Sequence, residues 1–82
     1  MQTVKRKINP ERKLPLLIEK GQDGWYVVEC PVFEGCYTQG KTIEEAIGNI
    51  KEVIKLILKE KNAQRILISY NPQEISLHTI TI

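Results

Sequence analysis

Side chains that do chemistry are scarce in this chain, which has one histidine, His78, and two cysteines, Cys30 and Cys36. Two cysteines are too few for a disulfide scaffold, and these two do not form a C-x-x-C pair. A zinc site needs four nitrogen or sulfur ligands, or three and a water, and His78 lies far along the chain from both thiols. The thiols therefore read as small packing residues. No Ser/His/Asp or Cys/His arrangement presents itself for nucleophilic attack. No phosphate-cradling loop is present either, because Gly35 and Gly40 flank a strand instead of opening a helix. Glu44 and Glu45 are explained by capping and the helix dipole rather than by acid–base work. The expectation is a protein without metal, cofactor or catalytic residues. No apolar run approaches the ~20 residues that span a bilayer, and Met1 leads into polar sequence without a signal-peptide core. A soluble cytoplasmic protein is expected.

What is present suits one small globular unit. The 82 residues are 41% hydrophobic and 27% charged, an ordinary globular balance. A chain this short buries only about 60% of its unfolded surface, so help from a partner or from self-association is expected. The net charge of +2 hides an asymmetry. Residues 1–13 hold Lys5, Arg6, Lys7, Arg12 and Lys13 against Glu11, a net +4, whereas residues 14–82 hold seven Lys/Arg against nine Asp/Glu, a net −2. A basic arm over 1–13 and a domain over 14–82 follow. Such an arm can bind phosphate backbones, although a solvated tail is the commoner outcome.

Leu14 to Lys20 reads as a first strand, with Pro15 tolerated near its start. Gly21-Gln22-Asp23-Gly24 is turn chemistry, making a hairpin with a second strand over Trp25 to Cys30. Pro31 ends that strand, and Val32 and Phe33 lie in a loop from which they tuck back onto the domain. Cys36 to Gln39 is a short third strand, completing an antiparallel meander. Thr42 is a good N-cap, and Glu45 three residues later completes a capping box. Ile43, Ala46, Ile47, Ile50, Val53, Ile54, Ile57 and Leu58 then fall within one arc of a helix. The helix is expected to fray near Lys61-Asn62. Ala63 to Asn71 fits either a further helical segment or a strand-like patch. Glu74 to Ile82 alternates and is β-branched, as a last strand would. The fold class is α+β, in the order β-β-β-α-β.

One helix covers one face of a sheet, yet the second strand is apolar on both, with Trp25 and Val27 on one side and Tyr26, Val28 and Cys30 on the other. Apolar surface is left for another protein or a second copy to cover. Lys51, Lys55 and Lys59 line up on the opposite side of the helix, where a solvated face is the commoner reading.

Three fragments taken together resemble the HicB family of antitoxins. They are Trp25-Tyr26-Val27-Val28-Glu29-Cys30-Pro31, Gly35-Cys36-Tyr37-Thr38-Gln39-Gly40, and Thr42-Ile43-Glu44-Glu45-Ala46 followed by Asn49-Ile50-Lys51-Glu52. The resemblance covers roughly residues 14–82. It implies a sheet-plus-helix unit like a trimmed ribonuclease H fold, with the last strand parallel beside the first. It also implies inhibition of a HicA-type ribonuclease toxin by covering its catalytic surface. Many members carry a DNA-binding segment after this unit; here the sequence ends at Ile82, which argues against direct operator binding. Nucleases of the ribonuclease H fold hold metal on carboxylates that include an Asp in the first strand. The first strand here has none, so a nuclease is disfavoured. Glu29, Phe33, Glu34, Tyr37 and Gln39 are the expected toxin contacts, in a protein that also self-associates as a dimer or larger. The alternative is a nucleic-acid-binding regulatory module using Lys5, Arg6, Lys7, Arg12 and Lys13.

Overall fold

The computed structural model describes residues 12–82. They form an α+β unit in the order β1 (Leu17–Lys20), β2 (Tyr26–Glu29), β3 (Tyr37–Gly40), α1 (Ile43–Ile57) and α2 (Lys61–Ser69). The three strands make one antiparallel sheet, β1-β2-β3. The hairpin between β1 and β2 is tied by the Gly21 N–H to the Trp25 carbonyl at 2.8 Å, and Asp23 Oδ1 accepts from the Trp25 N–H at 3.0 Å.

Between β2 and β3 the chain turns tightly. The Cys30 N–H donates to the Cys36 carbonyl at 2.9 Å, and the Phe33 N–H to the Cys30 carbonyl at 3.3 Å. Gly35 completes the turn at φ 73°, a left-handed conformation that a side chain would strain. This turn points Phe33 into the core, where it is 3% exposed.

Thr42 caps α1 as expected, its Oγ1 accepting from the Glu45 N–H at 3.0 Å. The reciprocal bond differs slightly from the usual capping box, since the Glu45 carboxylate accepts from the N–H of Lys41, one residue further back. From that start α1 lays Ala46 and Ile50 against Val28, Cys30 and Cys36 on the inner face of the sheet. The seat is close. A Cβ added at Gly40 would stand 2.5 Å from the Ala46 nitrogen and 2.9 Å from its Cα.

Two features depart from the sequence expectation. The helix does not fray out at Lys61. It ends at Ile57, turns through Leu58–Glu60, and resumes as α2. The turn is held by the Gln64 side chain, whose Nε2 donates to the Leu58 carbonyl at 2.8 Å. Ala63, Ile66 and Leu67, at helical spacing, then add to the core. Secondly, the last strand expected over Glu74–Ile82 is absent: among the described residues, those after Ser69 join no ladder. A strand needs a neighbour along its length: Ile75 and Leu77 line a groove with Leu16 and Leu17 at the start of β1, and beyond them Ile80 and Ile82 stay exposed.

Candidate functional site

The register places the strand side chains on two faces. Leu17 pairs with Glu29 and Glu29 with Tyr37, while Glu19 pairs with Val27 and Val27 with Gln39. Directly paired residues share a face, so these six side chains form one surface in two rows. The alternate set, with Ile18 and Val28 at its centre, faces α1. Five of the six are exposed, and only Leu17, at one corner, is half-buried where it lines a groove with Ile75 and Leu77. Tyr37 is 66% exposed and Val27 43%, and neither helix packs over them.

Three of the five contacts expected from the sequence, Glu29, Tyr37 and Gln39, therefore stand together on the outer face. Glu34 is exposed at the tip of the adjoining loop. Phe33 is buried and belongs to the core. Val27 belongs to the apolar side of the second strand that the sequence leaves for a partner to cover, whereas Leu17 and Glu19 were not placed on this face by sequence reasoning, although period-2 alternation across the hairpin was sufficient to find them. The six residues include two carboxylates, a phenol, an amide and two aliphatic groups, with no cation among them. This mixture suits docking against a basic protein surface with some apolar character.

Lys41 stands over the Trp25 ring at 5.5 Å, at the end of this face, and the basic residues of the alternative reading lie elsewhere. Lys5, Arg6 and Lys7 lie outside the described residues. Arg12 and Lys13 are exposed. Arg12 shares a shallow groove of about 300 Å³ with Lys51 and Lys55 of α1. Lys55 is also within 3.2 Å of Glu52 on the helix surface.

Cys30 and Cys36 are free thiols, both buried and adjacent across the strand pair. Burial, reinforced by the neighbouring Cys30, pushes the Cys36 thiol above its ordinary value. Both positions suit packing rather than nucleophilic chemistry. Among the described residues no three His, Cys, Asp or Glu side chains group to hold a metal ion. No helix of the described residues is long and apolar enough to cross a membrane.

Comparison with known proteins bears on the whole unit. A UPF0150 protein of Thermoplasma acidophilum is 42% identical over 67 residues, covering 80% of this chain and 97% of its own. A UPF0150 protein of Synechocystis is 51% identical over 45 residues, 55% of this chain and 65% of that relative. One from Archaeoglobus fulgidus is 45% identical over 49 residues, 60% and 71% of the two chains. No solved structure matches the chain significantly. The family model described as the HicB-like antitoxin of bacterial toxin–antitoxin systems matches residues 14–78, which include the whole sheet, both helices and the connection after them. The chain belongs to the HicB-like antitoxin family.

Proposed function

We propose that this chain is the antitoxin of a HicA-type, messenger-RNA-cleaving toxin and neutralises it in the cytoplasm by protein–protein contact, without catalysis of its own. The observation that carries the reading is the uncovered outer sheet face. Glu19 and Glu29 supply negative charge to a partner that must itself be basic to hold RNA, and Tyr37 is the kind of rigid, amphipathic side chain that anchors interfaces. Glu34 extends the acidic surface at one end. The antitoxin unit also self-associates, in keeping with its small core.

Co-expression with the toxin candidate encoded next to it is the direct test. The wild-type chain should form a complex and restore growth. Glu29→Lys combined with Tyr37→Ala should lose both while keeping its circular dichroism and unfolding midpoint. A folded double variant that still protects cells would move the docking surface elsewhere.

A nucleic-acid-binding reading keeps one observation in its favour, the convergence of Arg12 with Lys51 and Lys55 on one groove. It requires RNA or DNA affinity that falls steeply with salt and is lost on deleting residues 1–12.

A further inference from the structure

The segment after Tyr70 lacks a strand partner. From Glu74 to Ile82 it alternates apolar and polar residues like a strand, yet Ile75, Leu77, Ile80 and Ile82 are all exposed, Ile80 at 82%. The molecule extends 56 Å in its longest dimension, and its radius of gyration of 15.7 Å exceeds the roughly 11–12 Å of a compact chain this size.

Among the described residues the β1 edge is also unpaired. The bond from Gly21 to Trp25 sets the alternation in the hairpin, so Leu17 and Glu19 turn their backbone groups toward β2. Ile18 and Lys20 turn theirs outward, where no hydrogen bond among the described residues takes them. The far edge is less open. There the outward-facing carbonyl of Gln39 already accepts from Asn49 Nδ2 at 2.8 Å. One edge is blunted and the other is bare. Beside the bare edge lies an apolar groove of about 510 Å³, whose walls include Pro15, Leu16 and Val32 from the body and Ile75 and Leu77 from the segment itself.

We propose that the occupant of this edge is the C-terminal segment of a second copy, so that two protomers exchange strands. Residues 78–82 of one chain pair with the partner's β1, and Ile80 and Ile82 enter the apolar groove beside it. Five residues of strand reach about 16 Å, enough to run the length of the four residues of β1. Within one chain, Ile75 and Leu77 already lie against the start of β1, and the five residues beyond them remain exposed. Both copies offer the same edge and the same strand, so the exchange closes as a two-fold dimer. Main-chain hydrogen bonds supply the adhesion, and the alternating isoleucines set the register.

This deepens the self-association reading and does not depend on the toxin. Light scattering on the full chain alone should give twice the 9.5 kDa protomer mass. Thr79→Pro with Ile80→Pro removes two successive N–H groups, one of which must face the partner strand. That variant should run as a folded monomer. A wild-type monomer, or a proline variant that stays dimeric, overturns the proposal. In a second measurement, differently tagged chains carrying Leu16→Cys or Ile80→Cys are mixed and oxidised. A mixed disulfide between the two tags is expected. If a disulfide forms only within a single chain carrying both substitutions, the strand belongs to its own sheet and the exchange is refuted. Loss of toxin binding by outer-face variants would leave either result unchanged.

Discussion

Phe33 and Glu34 are neighbours in one loop with opposite roles. Phe33 is packed among Val28, Cys30 and Cys36, and truncating an aromatic in such a site costs about 3–5 kcal/mol through lost burial and the cavity left behind. Phe33→Ala should therefore lower the denaturant midpoint sharply, whereas Glu34→Ala should leave it unchanged, since Glu34 is exposed. The sequence places both residues in a loop between Pro31 and Gly35 and suggests, from their apolar character, that Val32 and Phe33 tuck back; what it leaves open is whether Phe33 does so completely and is lost as a partner contact. That depends on the backbone at Gly35. Cys36 makes a different prediction. Its thiol is held above the ordinary value by burial, so the folded state keeps a proton that the unfolded state releases once pH passes the usual thiol value of about 8.5. The stability difference is nil below that pH, and stability falls as pH rises from there toward the raised value. Denaturation midpoints measured from neutral to alkaline pH should decline more steeply for the wild type than for Cys36→Ala.

At the scale of elements, α1 is fixed by its first turn and by its closest approach to the sheet. Thr42→Ala removes the acceptor for the Glu45 N–H and should cost about 1 kcal/mol. Gly40→Ala should cost more, about 1–3 kcal/mol, because the atoms it meets are backbone atoms of Glu45 and Ala46 that cannot rotate away. A thermal melt ranking wild type, Thr42→Ala and Gly40→Ala in falling order checks both. The hairpin, the third strand and α1 were legible in the sequence because period, cap and turn residues agree there. α2 was less so. Its stripe runs Ala63, Ile66, Leu67, and a reading centred on Ile66-Leu67-Ile68 meets a continuous apolar run in which helix and strand are indistinguishable. Including Ala63 restores the helical spacing. The outer face was legible from alternation. That β1 would remain an edge was not, because a strand's partner is a matter of long-range packing.

For the whole molecule, the β-branched pattern of residues 74–82 expresses a preference that the single chain does not fulfil. Local propensity points to a strand, but a strand needs a neighbour, and among the described residues the segment has none. Strand exchange would reconcile the two and would also enlarge a core built, among the described residues, on only seven buried hydrophobic side chains. If folding and dimerisation are coupled in this way, stability cannot be independent of concentration. For a dimer that unfolds to two chains, each tenfold rise in chain concentration favours the folded state by about 1.4 kcal/mol of dimer. The melting temperature of the wild-type chain should therefore climb with concentration, while that of the Thr79→Pro/Ile80→Pro variant should stay level at a lower value. Flat, superimposed curves for both proteins would show that the body is stable alone and that its terminal segment adds nothing to the fold.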